Sequence, residues 1–391
     1  MTASLPGKIY TRQFWLLCVS TVLFFASFNM IIPELPDYLT KLGGADYKGL
    51  IISLFTITAM LSRPFSGKLT DRLGRKPVVI FGAVICVICS FLYPILTSLT
   101  GFFLLRLLHG FSTGFSPTGV SAYITDIIPA NKRGEAMGIV GTAGAVGMAG
   151  GPALGGSVAN IFGLDTMFYL SSFFAFVSII IFTQVKETLT ERHEISFRVL
   201  KVSRKDLYEP LVFGPCLVMG LTAFAYGTIF TMLPDLGQFF GIKNKGLLFV
   251  FLTVASLLVR LLAGKASDIY GRVPILRVSV MVIILSLVVI GFASSQLMLI
   301  VGVCLYGLGQ GSTSPTLLAW ATDLSDENHR GRAIASFYIF MEFGIGMGAF
   351  CAGWIYGNQT SNFLVTFVPC VLLGLVAFLY LMMNFRKSVL V

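Results

Sequence analysis

"RPFSGKLTDRLGRKP" occupies positions 63–77. Its charged side chains, Arg63, Lys68, Asp71, Arg72, Arg75 and Lys76, sit between two apolar runs, "LIISLFTITAMLS" (50–62) and "VVIFGAVICVICSFLYPIL" (78–96). The cluster recurs. Moved along by 197 residues, the stretch lies on "RLLAGKASDIYGRVP" (260–274) with seven identities in fifteen columns. Arg63 meets Arg260, Gly67 meets Gly264, Lys68 meets Lys265, Asp71 meets Asp268, Gly74 meets Gly271, Arg75 meets Arg272 and Pro77 meets Pro274. The same shift pairs Gly110 with Gly307, Gly114 with Gly311, Asp126 with Asp323, Asn131 with Asn328, Arg133 with Arg330 and Gly134 with Gly331. Since 197 is almost half of 391, one ancestral unit is written twice.

The unit is a membrane one. Apolar residues make up 55% of the chain and charged residues 12%, against about 25% charged in soluble domains. Mean hydropathy is +0.85. Runs of about 20 apolar residues, each able to cross a bilayer as a helix, follow one another. They lack the alternation of barrel strands. Twelve spans are expected, near 14–38, 46–66, 77–97, 100–124, 134–160, 165–184, 209–234, 245–265, 273–293, 297–320, 332–356 and 361–384. The first, from Phe14, is long enough for a span rather than a cleaved leader. The polar connection 185–208 divides the chain into an N-terminal bundle (1–184) and a C-terminal bundle (209–391). Six is even, so both copies enter the membrane the same way. Parallel repeats of this kind belong to transporters whose site lies between the halves near the midplane.

Lys and Arg set the orientation. With both ends cytoplasmic, one face holds Lys68, Arg72, Arg75, Lys76, Lys132, Arg133, the basic residues of the central connection, Lys265, Arg272, Arg277, Arg330 and Arg332. The other holds only Lys41, Lys48, Lys243 and Lys245. This bias also explains the net charge of +10; without basic patches interleaved with aromatics, it does not speak for nucleic acid. Seven cysteines lie within apolar runs, among them Cys86 and Cys89, and read as small packing residues. No phosphate-binding loop, metal-ligand cluster or nucleophile–base pair is visible, so neither an enzyme, a metal site nor a cofactor is expected.

"GKLTDRLGRKP" (67–77) resembles the loop 2–3 signature of the major facilitator superfamily, G-x-x-x-D-R-x-G-R-R/K, and 264–274 resembles it in part. The resemblance spans the whole chain: twelve spans, a long central connection and paired loops. It implies a cytoplasmic gate made by Gly67, Asp71, Arg72, Gly74 and Arg75 with Asp126, and by Asp268, Arg272 and Asp323. Asp71 is expected to dock on the first turn of span 11, where unsatisfied N–H groups carry partial positive charge. Arg72 and Arg75 are expected to meet Asp126, and Arg272 to meet Asp323. The rival reading of these charges is topology alone.

"GTAGAVGMAGGPALGG" (141–156) looks like the span 5 pattern of the twelve-helix drug:proton antiporters, a pattern associated with export. Physically, Gly147, Gly151, Gly155 and Gly156 allow close helix approach, and Pro152 bends the helix. "MIIPELPDYL" (30–39) and "FFLLRLLHGFSTG" (102–114) resemble the first and fourth spans of the same group.

Ionisable groups inside spans are functional candidates: Glu34, Arg106, His109 and Glu342, with Asp37 at the rim. Glu34 and Arg106 fall in the outer third of the bilayer at 1.5 Å per residue and are expected to face each other as a proton-coupling pair. His109 is either a second titrating group or a packing residue. Glu342, near the midplane, has no basic neighbour in sequence and is expected to carry a proton or a cationic substrate. Asn29, Tyr123, Tyr226, Gln310 and Tyr338 are candidate cavity-lining residues.

The chain therefore reads as an all-α, twelve-helix transporter of two pseudo-symmetric bundles in the cell inner (plasma) membrane. It is expected to be a monomer that exchanges a small organic or amphipathic solute for protons, with the proton gradient as its energy source. A proton-coupled symporter, a sugar exporter, and a non-transporting receptor or scaffold are the alternatives.

Overall fold

The computed structural model describes residues 10–129, 132–189, 209–325 and 330–388. The repeat partners Asn131 and Asn328, and most of the connection 185–208, lie outside them. The described chain is helical throughout, with no strand. The helices are α1 (Arg12–Ile31), α2 (Leu50–Leu73), α3 (Arg75–Leu92), α4 (Leu99–Ile127), α5 (Arg133–Phe162), α6 (Leu164–Thr183), α7 (Phe213–Phe239), α8 (Gly246–Tyr270), α9 (Arg272–Gly291), α10 (Gln296–Leu324), α11 (Arg330–Tyr356) and α12 (Phe363–Ser388). α1 continues through a 3-10 turn, Ile32–Glu34, into Leu35–Lys41. Pro33 and Pro36 remove donors at that break. Among the described residues, ten helices are long and apolar enough to cross a membrane alone, and α8 qualifies as two segments, Gly246–Arg260 and Leu262–Tyr270. α4, which carries Arg106 and His109, is the remaining one.

The written repeat is also a folded one. Ser98 caps α4 by accepting from the Gly101 N–H, and Ser295, 197 residues later, caps α10 by accepting from the Met298 N–H. Gly74 and Gly271 join α2 to α3 and α8 to α9 at φ +117° and +89°, angles an L side chain rarely takes.

Helices α1–α6 pack together, as do α7–α12. Close glycine contacts set the spacing. A Cβ on Gly147, Gly151 or Gly155 of α5 would strike the α1 carbonyls of Val22, Ala26 and Met30. Gly344 and Gly348 of α11 meet the Gly220 and Phe224 carbonyls of α7 in the same way. Hydroxyls add polar contacts between helices: Ser20 with Ser178 at 2.9 Å, and Ser171 with Ser90 at 3.0 Å. Large apolar side chains such as Leu61, Leu258 and Leu262 stay exposed around the outside, where a soluble protein would avoid them. The two bundles meet along two seams related by the repeat, α2 on α11 and α8 on α5.

Candidate functional site

The seams carry three tiers of contact. At the end where α2 and α8 begin, Gly49 lies against the Ala349 carbonyl and Gly353, and Gly246 lies against the Pro152 carbonyl. The pairs are repeat mates, since 49 and 246, like 152 and 349, differ by 197. Two ion pairs close the same end, and each crosses between halves. Lys48 at the start of α2 pairs with Asp235 of α7 at 2.5 Å, and also donates to Asn358 Oδ1 at 2.7 Å. Lys245, its mate before α8, pairs with Asp37 after α1. The Lys48 and Asp235 side chains are 8% and 5% exposed, whereas Asp37 is 36% exposed. Gly156 packs on Asn244, whose amide donates to the Ala153 carbonyl at 3.0 Å.

Midway along α2, Arg63 Nη2 donates to Glu342 Oε1 of α11 at 2.7 Å. The side chains are 13% and 8% exposed. The guanidinium also lies 4.5 Å from the centroid of the Tyr338 ring, a cation–π arrangement. This corrects the expectation for Glu342. Its neutraliser comes from the other bundle, 279 positions away, and a free carboxylate for a cationic substrate is not what the fold presents.

The pair expected between Glu34 and Arg106 does not form among the described residues. Arg106 Nε donates to the Ile51 carbonyl at 2.6 Å, its Nη1 donates to the Tyr93 hydroxyl at 3.4 Å, and it lies over Phe55 at 4.7 Å. Arg106 points across to the start of α2. Glu34 is buried on the 3-10 turn with Lys245, Asp37 and Lys41 as its charged surroundings. His109 Nε2 contacts the Cys86 thiol at 3.3 Å, and its Nδ1 is buried without a partner. Asn29 donates to the Phe25 carbonyl of its own helix at 2.8 Å. Tyr123 is a second correction. It is wholly buried near the α1 start, donating to Gln13 Oε1 at 2.7 Å, so it packs a bundle rather than lining a space between bundles. Tyr226 stacks on Phe230 at 4.3 Å in α7, and the Gln310 Oε1 of α10 is buried without a partner.

At the opposite, basic end the expected latch through Asp71 does not form among the described residues. The Asp71 side chain is 74% exposed and its ion-pair contact is Arg75, one turn on, at 3.7 Å. The expected docking on α11 is not made among the described residues. A Cβ on Gly67 or Gly264 would meet nothing within 4 Å. Arg75 Nε does donate to Asp126 at 2.8 Å, and Arg272 Nε to Asp323 at 2.9 Å, with Asp268 as a further partner of Arg272. Arg72 is exposed and makes no ion pair among the described residues; Asp126 takes the Thr188 hydroxyl instead, at 2.6 Å. Glu187 was not foreseen. It accepts the N–H groups of Arg75 at 3.1 Å and Lys76 at 3.0 Å, capping α3, and Gly74 leaves the space it occupies. Burial pushes the Glu187 carboxyl up, but four backbone N–H groups, of Leu189, Lys76, Arg75 and Thr188, outweigh it and hold the group below its ordinary value.

The residues that tie the halves together, Lys48, Arg63, Asp235 and Lys245, were not candidates. The usable signal was the repeat itself: Lys48 and Lys245 are mates at 197, as are Arg63 and Arg260.

The profile of the Major Facilitator Superfamily matches residues 17–252 and 215–389. Quinolone resistance protein NorA of Staphylococcus aureus is 31% identical over 129 residues, 32% of this chain and 33% of that protein. Multidrug resistance protein 2 of Bacillus subtilis is 26% identical over 261 residues, 63% of this chain and 65% of that one. The chain thus aligns with between a third and two thirds of these relatives' lengths. Among solved structures, the human organic anion transporter MFSD10 superposes with a TM-score of 0.74 at 20% identity, covering 95% of this chain and 99% of that one. A D-xylose-proton symporter superposes at 0.78 and 15% identity, covering 94% and 96%.

Proposed function

The chain belongs to the Major Facilitator Superfamily, and from that premise we propose that it is a secondary active transporter, exporting a small organic or amphipathic solute in exchange for protons across the cell inner membrane. Its two bundles rock about the seams. In the conformation described here the lysine–aspartate end is shut, and at the basic end Asp71 reaches no group of the other bundle among the described residues. With the basic end cytoplasmic, this is the state that loads from inside.

The observation that carries the reading is the buried Arg63–Glu342 pair across the α2–α11 seam. A buried ion pair contributes little net stability while intact, but removing one charge leaves the other uncompensated. A proton on Glu342 discharges the carboxylate and strands Arg63, so protonation and seam geometry are coupled. Rocking opens the seam, wets both groups and lets the proton leave. The names of the two relatives, one of quinolone and one of multidrug resistance, support export of an organic solute.

The test is reconstitution in liposomes with an imposed pH gradient and a panel of cationic, neutral and anionic solutes. Solute-induced proton movement, lost by at least tenfold in Glu342→Gln, is expected. Solute flux indifferent to the gradient, or full coupling in that variant, overturns the proposal.

A further inference from the structure

Repeat symmetry is kept in the end contacts and broken at mid-membrane. The mate of Arg63 is Arg260 on α8. The seam residues that serve Arg63 are Tyr338 and Glu342 on α11; their mates on α5 are Gly141 and Ala145. The register is secure, because Gly147 and Gly344, and Gly151 and Gly348, make equivalent contacts on α1 and α7. Thus one seam pairs a guanidinium with an aromatic face and a carboxylate, and the other faces the same guanidinium with a hydrogen atom and a methyl group. A Cβ on Gly141 meets only Arg260 Nη1, at 3.9 Å. Arg260 makes no hydrogen bond or ion pair among the described residues, and its Nε is sealed from solvent. Nearby polar groups are also unsatisfied. Tyr226 lies within electrostatic reach of Arg260, Glu342 and Tyr306. The Tyr306 hydroxyl, on a side chain 0% exposed, and the Gln310 Oε1 one turn further along α10 have no partner among the described residues. Arg260 is half-buried, and a cation drawn partly out of water without a counter-charge is costly, so a fold that keeps one in a glycine-walled position holds it for something that arrives.

We infer that Arg260 is the anchor of a solute-binding site on the α5–α8 seam, and that its solute class is the amphipathic organic anion carrying an aromatic ring and a carboxylate. The ligand supplies to Arg260 what Tyr338 and Glu342 supply to Arg63. Its carboxylate takes the guanidinium in a charge-assisted contact, its ring covers the Gly141 surface, and the half-buried Tyr226 and Gln310 offer polar groups at the rim. This deepens the transport reading above and rests on it.

The probe is 1-naphthoate, with 1-naphthamide as its neutral isostere, bound to the purified full-length chain and followed by equilibrium dialysis. Naphthoate is expected to bind at least tenfold tighter than the amide, and Arg260→Gln to abolish that preference, as loss of a charge-assisted hydrogen bond is worth on the order of ten- to a hundredfold. Gly141→Tyr, which restores the ring found in the other seam, is expected to weaken both probes at least tenfold with the cation retained. Equal affinity of the two probes, or an undiminished preference in Arg260→Gln, overturns the site. If Arg260→Gln does not elute as a folded species, Gly141→Tyr decides, and unchanged naphthoate binding there overturns it. Binding needs no gradient, so the two readings fail separately. A chain that prefers naphthoate but moves no protons keeps the site and loses the exchange mechanism. Proton-coupled flux of other solutes without naphthoate preference does the reverse.

Discussion

Asp235→Asn removes one carboxylate from the end where the halves are shut. In the shut state Lys48 then stays 8% exposed, with the Asn358 amide oxygen at 2.7 Å and the Tyr356 ring at 5.7 Å as its remaining partners. In the opposite state the ammonium is hydrated. Stranding a buried charge by removing its partner costs about 3–5 kcal/mol, and the cost falls on the shut state alone. The equilibrium should therefore move toward opening by on the order of a hundredfold or more. The repeat supplies an internal control. Asp37→Asn leaves Lys245 as buried as Lys48, at 8% exposed, but Glu34 stays within electrostatic reach of it and the lost partner is half-wet at 36% exposed, so the cost is about 1 kcal/mol. That variant should shift the equilibrium by about fivefold or less. The assay is a spin-label distance between Thr40 and Lys243, each replaced by cysteine in a background cleared of native cysteines. The Asp235→Asn population should be dominated by the long distance and the Asp37→Asn population by the short one. The charge-swapped Lys48→Asp/Asp235→Lys chain should return toward the short distance. Equal shifts in the two single variants, or no shift in Asp235→Asn, would refute the assignment of these pairs as the closure.

Three other outcomes follow from the geometry. Arg106→Ala removes a buried charged donor from the Ile51 carbonyl and the Tyr93 hydroxyl, so it should lower thermal stability by about 1–3 kcal/mol; coupling lost at unchanged stability would instead restore Arg106 as a proton-pathway group. Gly74→Ala places a Cβ at φ +117° and against Glu187, which should cost on the order of 1–3 kcal/mol, measured by thermal denaturation in detergent against Gly67→Ala, which faces open space. Glu187 has a lowered carboxyl in the folded chain, so its stabilisation is complete above the unfolded value of about 4.3 and fades as pH falls through the lower folded value; the stability gap between wild type and Glu187→Gln should be full at pH 7 and shrink below about pH 4.

Asp71 shows where local reasoning stopped. Its place in the loop, the turn at Gly74 and the Arg75–Asp126 pair all follow from short-range chemistry. Whether its carboxylate reaches α11 depends on how far two rigid bundles are tilted, which neither loop records. Arg106 shows another limit. Rise per residue speaks only of position along the helix, and rotation about the helix axis, set by packing of α4 on α2, turned it to Ile51 and Phe55 instead of Glu34.

Span count, the close approach at the α5 glycines and the doubling at 197 residues were legible because they rest on hydropathy, small side chains and repetition, all of which are written along the chain. The partners that join the halves were not. Lys48 finds Asp235 and Lys245 finds Asp37 because the bundles face each other about a pseudo-twofold relation, and that exchange exists only once both are assembled. The same holds for the contrast between Arg63, matched by Tyr338 and Glu342, and Arg260, opposed by Gly141. Two near-identical local sequences differ there because an ion pair is decided by which surface lies opposite, and the opposing surface belongs to the other half.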